Sequence, residues 1–363
     1  MKGADFSQRL IRWQKQHGRH DLPWQNTRDP YRVWLSEIML QQTQVAAVIP
    51  YYARFLSRFP TLADLAAAPV EDVMAQWSGL GYYARARNLH ACARRVMHTH
   101  GGVFPHHPEA IAELPGIGRS TANAIAAFCF GARVAILDGN VKRVLARCFG
   151  IDGFPGAPAI EKKMWRLADA QLPPHDVANY IQAQMDFGAT LCTRGKPRCD
   201  ECPLADICVA RREDRVAELP APRPKRIVPE KEVTLLVLLR DGSVLLEQRP
   251  PSGIWGGLLS LPELPVGASA EFHIRSHLGC EAEQWQALPG VVHTFTHFRL
   301  HISPVMATAR QLPHSSEPGL RWLAFDRLEA APLPAPIRRL LETVQQMQDR
   351  AKPLRTFLHP SVA

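Results

Sequence analysis

The 363-residue sequence contains no run of about 18 apolar residues, so it predicts no membrane-spanning helix. Its first residues, MKGADFSQRLIRW, lack the apolar core of a secretion signal and have the pattern of an amphipathic helix. Acidic residues are in deficit, 34 against 43 basic ones, which gives a formal charge of +9. We therefore expect a cytoplasmic protein without a membrane partner. The basic surplus favours a polyanionic partner, and a generally basic surface is the open alternative.

A disulfide framework is also not indicated. Four of the eight cysteines are scattered, at Cys92, Cys129, Cys148 and Cys280. The other four follow the spacing C-x6-C-x2-C-x5-C, at Cys192, Cys199, Cys202 and Cys208. Four thiolates in one short loop can surround a zinc ion or an iron–sulfur cluster, and spacing alone does not separate the two. Three cations of this loop predict either a phosphate-binding surface or a solvated charged loop: Arg194, Lys196 and Arg198.

The chain changes character near position 213. Residues 1–212 are predicted to be mainly helical, with segments at Phe6–His17, Tyr31–Gln42, Tyr82–His98, Ser120–Phe130, Val141–Cys148 and Ala159–Ala170. Residues 213–231 read as a proline-rich basic linker, and 349–363 as a loose tail. Between them, 232–348 predicts an α+β module, with strands at Val233–Arg240, Val244–Gln248 and Val291–Ile302 and helices at Ala270–Leu278 and Ile337–Met347.

Two carboxylates carry the candidate chemistry. Glu37 lies in the apolar helix WLSEIMLQQTQV, where desolvation should raise its pKa towards that of a general acid; a buried ion pair with an arginine is the alternative. Asp138 in ILDGNVKRV begins a helix and reads first as an N-cap. In its polar, positive surroundings we expect Asp138 to stay ionised. An acid for the leaving group and an anion facing a cationic sugar together predict cleavage of a glycosidic bond.

Between two helical segments, LPGIGRSTA predicts a tight turn at Gly116 and Gly118 with exposed backbone N–H groups. The following helix directs its N-terminus at the same place, so the turn can bind a phosphate without reading a base. A plain connection between helices is the alternative.

Together these stretches, with GLGYYARARNLH and PPSGIWGGL, resemble the helix-hairpin-helix DNA glycosylases related to endonuclease III, specifically the adenine-removing branch. The resemblance covers essentially the whole chain. It implies an all-α glycosylase with an iron–sulfur lobe, followed by an α+β Nudix-like domain. The implied boundaries are a six-helix lobe at about 22–132, a cluster lobe at about 1–21 and 133–212, and a Nudix-like domain at 232–348.

The resemblance also implies roles for individual residues. Glu37 protonates adenine and helps to activate water, Asp138 stabilises the cationic sugar, and Asn140 supports the site. The four clustered cysteines bind a [4Fe–4S] cluster. The implied DNA contacts, on a base that must leave the duplex, are Gln42, Tyr82, Gly116, Gly118, Arg119, Ser120, Arg143 and Gly253.

Ser120 separates the relatives. Bifunctional members of the family carry a nucleophilic lysine at this position, and a hydroxyl cannot form a Schiff base. In the C-terminal module, the stretch AEFHIRSHLG lacks the glutamate pair that would hold magnesium, so lesion recognition is favoured over hydrolysis. The resemblance places the reader of 8-oxoguanine at Phe295, Thr296 and His297, a stretch that by itself also reads as a strand.

The expected protein is thus a monomeric, monofunctional glycosylase that acts on double-stranded DNA containing A:8-oxoG or A:G mispairs. A bifunctional pyrimidine-lesion glycosylase with lyase activity is the main alternative. A DNA-binding scaffold without catalysis and a nucleotide pyrophosphohydrolase are the others.

Overall fold

The computed structural model describes residues 3–224, 228–250, 253–295, 297–312, 318–329 and 331–351. The chain divides into two compact units. The helical unit comprises Met1–Ala68 and Arg87–Arg226, and the sheet unit comprises Pro69–Ala86 and Ile227–Ala363. Residues 69–86 therefore pack with the C-terminal part of the chain and not with their sequence neighbours. A boundary placed only at the 213–231 linker does not predict this.

Helices dominate the chain before the linker. They are α1 (Gly3–His17), α2 (Pro30–Leu40), α3 (Val45–Arg58), α4 (Leu62–Ala67), α5 (Val70–Trp77), α6 (Ala84–His100), α7 (Pro108–Ala112), α8 (Arg119–Phe130), α9 (Gly139–Phe149), α10 (Pro158–Ala170), α11 (Val177–Thr190) and α12 (Val209–Arg212).

Local chemistry fixes the ends of the helices that matter most for the site. Helix α2 begins with Pro30 after the N-cap Asp29, whose carboxylate accepts the Tyr31 N–H at 3.0 Å. Helices α8 and α9 end at Gly131 and Gly150, with φ of 70° and 61°, the left-handed conformation that glycine adopts at low cost.

The core of the helical unit joins its first helix to residues far along the chain. Phe6, Leu10 and Trp13 of α1 are buried against α9 and α11. The Trp13 ring meets Phe187 of α11 edge-to-face, with centroids 5.2 Å apart. Aromatic pairs of this kind contribute about 0.5–1.5 kcal/mol beyond the area they bury.

The sheet unit is built on a mixed sheet. Its strands are β1 (Glu230–Arg240), β2 (Ser243–Gln248), β3 (Leu259–Ser260), β4 (Glu263–Leu264), β5 (Cys280–Ala287), β6 (Val291–Thr294), β7 (Arg299–Gln311) and β8 (Leu320–Ala324). The order is β3-β2-β1-β7-β5; β1 and β7 are parallel and the other pairs are antiparallel. Residues 235–239 of β1 are all buried, as in a central strand covered on both faces. The unit also contains α13 (Ala270–His277) and α14 (Ala335–Ala351).

The predicted order, a mainly helical region followed by an α+β module, is confirmed, but two element predictions were wrong. The strand expected at Val291–Ile302 is two strands, because Phe295 N–H bonds the Phe298 carbonyl at 2.9 Å and closes a turn. Tyr82 precedes its helix instead of beginning it, and its φ is +48°. Helix α14 continues to Ala351, past position 349 where the loose tail was expected to begin, and residues 352–363 lie outside the described residues. In the described ranges, no helix has the length and apolarity needed to span a bilayer.

Candidate active site

Glu37 lines an open cavity of about 330 Å³ in the helical unit. That volume lies at the lower end of ligand pockets and suits a single base. Apolar side chains form much of the wall: Leu22, Trp24, Val33, Leu40, Val45, Phe128 and Met185. The carboxyl group keeps part of its surface accessible in the cavity, yet it lies deep enough to be desolvated.

Burial raises the pKa of Glu37 to about 8, and the negative charge of Asp138 contributes in the same direction. Within the described ranges no arginine or lysine pairs with this carboxylate, which removes the alternative of a buried ion pair. At neutral pH the Glu37 side chain is therefore mostly a neutral acid that can donate a proton.

Asp138 is the N-cap of α9. Its carboxylate accepts the Val141 N–H at 2.7 Å and the Asn140 side-chain N–H at 3.4 Å. Asn140 is itself held, because its Oδ1 accepts from Arg143 Nη2 at 2.8 Å. Arg143 also donates to the carbonyls of Gly188 and Cys192, at 2.6 and 2.8 Å.

The sequence-based expectation that Asp138 stays ionised did not take burial into account. Burial is the largest influence and raises the pKa of Asp138, while the hydrogen bonds from Val141 and Asn140 and the charge of Arg143 act to lower it. The polar surroundings predicted from the sequence are present, but desolvation outweighs them. The two carboxyls are close enough for the charge of Asp138 to act on Glu37.

Ser120 ties the hairpin to the segment that carries Asp138. The helix α8 begins at Arg119, and the Ser120 Oγ accepts the backbone N–H of Leu137 at 3.0 Å. The hydroxyl is thus used to hold the backbone immediately before Asp138, and no amine is present at this position.

The hairpin has the backbone that its glycines predict. Gly116 has φ of +77°, and a Cβ there would lie 2.6 Å from the Asn88 Cβ, so a side chain would collide. A Cβ at Gly118 would meet nothing within 4 Å, which leaves the N-terminus of α8 open on that side. Arg119 lies over the Trp165 ring at 3.8 Å and pairs with Asp169 at 3.7 Å, so it is anchored to α10.

All four clustered cysteines line one cavity, together with Phe187, Leu191, Pro197, Ala205 and Val216. Arg147 spans its edge, with Nη1 donating to Cys192 Sγ at 3.4 Å and to the Thr193 carbonyl at 2.7 Å. Over the described residues, no group of His, Cys, Asp or Glu is placed to hold a single metal ion. Four thiols that line one apolar cavity with a cationic edge fit an iron–sulfur cluster.

The remaining predicted contacts fall in different units. Gln42, with φ of +57°, follows α2 in the helical unit. The sheet unit holds Tyr82, which is 49% exposed, and Gly253, whose φ is +88° with open space where a Cβ would be. Thr296 lies outside the described residues.

Phe295 and His297 both lie beside the turn between β6 and β7. The Phe295 ring stacks on Phe298 with centroids 4.4 Å apart, and His297 is exposed. Trp255 and His293 also contact the Phe295 ring, with centroids 6.0 and 4.5 Å away.

Sequence reasoning missed one carboxylate that holds two of the side chains lining the Glu37 cavity. Asp186 of α11 is fully buried and pairs with Arg19 at 2.6 Å. It also accepts from Gln182 Nε2 at 2.9 Å, and both Arg19 and Gln182 line the cavity. The available signal was a carboxylate within the apolar helix YIQAQMDFG, the same signal that singled out Glu37.

Three family models match the chain in succession. Residues 35–170 match the HhH-GPD superfamily of base excision DNA repair proteins, 192–208 match the iron-sulfur binding domain of endonuclease III, and 233–343 match a NUDIX domain. The adenine DNA glycosylase of Buchnera aphidicola subsp. Acyrthosiphon pisum (strain APS) is 35% identical over 346 residues, which covers 94% of this chain and 98% of that protein.

The chain belongs to the adenine DNA glycosylase family. The human member is 34% identical over 408 residues, covering 94% of this chain and 74% of that protein. The solved structure of a thermostable thymine-DNA glycosylase covers 58% of this chain and 97% of its own, with 30% identity and a TM-score of 0.54.

Membership of the family makes the chain a DNA glycosylase of base-excision repair, and the sequence-based expectation of that activity is confirmed. The match to the iron-sulfur domain confirms the [4Fe–4S] cluster as its cofactor. The C-terminal NUDIX match likewise confirms the Nudix-like character of the second half.

Proposed function

We propose that the protein is a monomeric, monofunctional glycosylase that hydrolyses the N-glycosidic bond of adenine paired with 8-oxoguanine, and also with guanine. The observation that carries the proposal is Glu37, a buried acid with a pKa of about 8 in a cavity the size of one base. Family membership supports adenine as the base removed.

Glu37 acts first as the general acid. With a pKa of about 8 the group is protonated at neutral pH, so it can donate to the departing adenine and then accept a proton from the attacking water. Arg19 and Gln182 provide the polar part of the cavity, where a flipped base can meet hydrogen-bonding partners.

Asp138 acts as the anion that stabilises the oxocarbenium-like sugar. The Val141 N–H, the Asn140 amide and the Arg143 charge all favour its ionised form. A sugar cation forming beside Asp138 would act in the same direction and offset part of the desolvation. Asn140 keeps the carboxylate oriented and is kept in place by Arg143.

Strand cleavage is not part of the reaction. A Schiff base with the abasic sugar needs an amine, and Ser120 offers only a hydroxyl that is already bonded to the Leu137 N–H. We therefore expect borohydride to trap no covalent complex of enzyme and DNA.

DNA binding is divided among several elements. The hairpin at Gly116–Ser120 holds the backbone, with Arg119 and Arg143 contributing charge, and Gln42 and Tyr82 enter the duplex beside the mispair. Gly253 allows a close approach of DNA, since it has no side chain and its φ of +88° favours glycine. The residues Phe295, Thr296 and His297 read the oxidised base.

The cluster is held by Cys192, Cys199, Cys202 and Cys208. Its iron–sulfur bonds would fix the loop of residues 192–208, whose cations Arg194 and Lys196 then face phosphate, while Arg198 pairs with Glu201 at 3.0 Å. Arg147 holds the loop through its hydrogen bonds to Cys192 Sγ and the Thr193 carbonyl.

A duplex panel tests the proposal. Single-turnover base release should be fastest for A:8-oxoG, slower for A:G, and absent for a thymine mispair or an oxidised pyrimidine. Release of the pyrimidine together with covalent trapping by borohydride would instead establish the bifunctional alternative.

A further inference from the structure

The loop that presents Tyr82 has an unusual backbone. Gly79, Gly81 and Tyr82 all have positive φ, at 99°, 73° and 48°, within the six-residue sequence SGLGYY. A left-handed conformation costs a residue with a side chain about 1–2 kcal/mol. Because Tyr82 is also 49% exposed, its own packing does not account for the conformation, and its surroundings must impose it.

Two side chains hold the loop from within its own segment. Trp77 Nε1 donates to the Gly81 carbonyl at 3.3 Å, and the buried Arg85 donates to the carbonyls of Leu80 and Gly81 at 3.2 and 3.0 Å. The Arg85 guanidinium also lies over the Tyr82 ring, 5.7 Å from its centroid.

The loop is also held by the C-terminal part of the chain. The Leu333 carbonyl accepts from Ser78 Oγ at 3.2 Å and from the Tyr83 hydroxyl at 3.4 Å. Arg338 Nη2 donates to Ser78 Oγ at 3.1 Å, and the Tyr83 hydroxyl accepts the Gly79 N–H at 3.2 Å. The donors and acceptors are consistent. The Ser78 and Tyr83 hydroxyls both donate to the Leu333 carbonyl, and each accepts one N–H, from Arg338 and Gly79 respectively.

Arg338 fixes both sides of this contact. Besides Ser78 it bonds the carbonyls of Leu328 and Ala331, at 2.6 and 2.7 Å, which hold the turn that carries Leu333. In the described part of the chain no carboxylate pairs with Arg338, so its donors are directed at the backbone and at Ser78. Loss of the guanidinium would leave these acceptors without their partner.

The Tyr82 loop belongs to the glycosylase domain by sequence but packs with the C-terminal part of the chain. Residues 69–86 fall within the HhH-GPD match, but they pack in the sheet unit with the residues that follow 227. The contact of Arg338 and Leu333 with Ser78 and Tyr83 is the part of that packing nearest to Tyr82 in sequence.

We propose that Leu333 and Arg338 form a clamp through which the C-terminal module sets the conformation of the Tyr82 loop. The clamp couples insertion of Tyr82 beside the mispair to recognition of the opposite base. Arg338 is a positioning residue that acts through Ser78 and touches no DNA. This inference rests on the proposed function, in which Tyr82 enters the duplex.

A double-mutant cycle tests the clamp. Arg338→Met is combined with Tyr82→Ala, and Arg339→Met, a change at the exposed neighbouring arginine, is the matched control. The readout is the preference for A:8-oxoG over A:G in single-turnover base release, with Kd for both duplexes. We expect Arg338→Met to reduce the preference about tenfold, within the range of measured couplings between contacting residues. In the Tyr82→Ala background it should change the preference less than about twofold, and Arg339→Met should have no effect.

A loss of the same factor in both backgrounds, or no loss, would overturn the clamp. Ser78→Ala decides the matter if Arg338→Met does not fold, because it removes only the shared hydroxyl; it should reduce the preference about threefold and only when Tyr82 is present. Failure of the proposed function has a different signature, since the parent protein would then show no preference for A:8-oxoG at all.

Discussion

Glu37 and Asp138 are both desolvated carboxyls on helices of one unit, but their immediate surroundings differ. Glu37 lies within α2 on a cavity with apolar and polar walls, and the charge that acts on it among the described residues is the negative charge of Asp138. Asp138 caps α9, receives two N–H groups and lies near Arg143. Burial acts on both, so burial alone cannot assign acid and anion. Hydrogen bonding to the ionised form is what separates them.

Of the changes that test this difference between the two carboxyls, loss of the Glu37 proton should have the largest effect on adenine release. Glu37→Gln keeps the size of the side chain but cannot donate a carboxyl proton, so single-turnover adenine release should fall by about 10²–10⁴-fold. Affinity for the A:8-oxoG duplex should be unchanged within about twofold, because the shape of the cavity is kept. Glu342→Gln, at an exposed position of α14, is the matched control and should retain the parent rate. Parent-like release by Glu37→Gln would remove the acid role.

Asp138→Asn should have the next largest effect. Asparagine is as good an N-cap as aspartate, and burial raises the pKa of Asp138, so α9 should keep its start and the unfolding free energy should not fall. The negative charge is lost, and adenine release should fall by about 10²–10³-fold. If the unfolding free energy falls by as much as the activation free energy of adenine release rises, Asp138 serves only the fold.

The stability of Glu37→Gln sharpens the comparison further. The pKa of Glu37 rises from 4.5 to about 8 on folding, so the folded protein retains a proton that the unfolded chain releases. This group therefore lowers stability progressively as the pH rises through that window. Glu37→Gln should raise the unfolding free energy by up to about 3 kcal/mol at pH 7, and by less than about 1 kcal/mol near pH 5. Denaturant titration at both pH values measures it; an equal gain at both would contradict the raised pKa.

The smallest expected effect concerns the sheet unit. Thr296→Val removes a hydroxyl and keeps the branched shape, so the preference for A:8-oxoG over A:G should fall about five- to tenfold, in line with the loss of one base contact. Thr296→Ser keeps the hydroxyl and serves as the control. Release from A:G should be nearly the same in all three proteins. A preference that survives in Thr296→Val would mean that this hydroxyl does not read the lesion.

Features with a local cause could be predicted from the sequence. The helical periodicity, the glycine turn before α8 and the cap at Asp138 are all determined by neighbouring residues. The raised pKa of Glu37 could also be predicted, because the residues next to it in sequence are mostly apolar.

Features that depend on residues distant in sequence could not be predicted. The Arg19–Asp186 pair joins positions 167 residues apart, and the packing of 69–86 in the sheet unit depends on contacts with the C-terminal part. The burial of Asp138 was missed because the polar residues around it in sequence do not show how far the surrounding helices exclude water. The turn at 295–298 was missed because alternation continues on both sides of it.

The pH dependence of single-turnover adenine release from an A:8-oxoG duplex, at saturating enzyme, tests the central claim most directly. If Glu37 donates the proton, the rate constant should fall tenfold per pH unit as the pH rises above the Glu37 pKa of about 8. A rate constant that increases as the pH rises from about 7 to about 9 would contradict the assignment of Glu37 as the acid. So would a rate constant that already begins to fall, with rising pH, near 4.5, the ordinary carboxyl pKa.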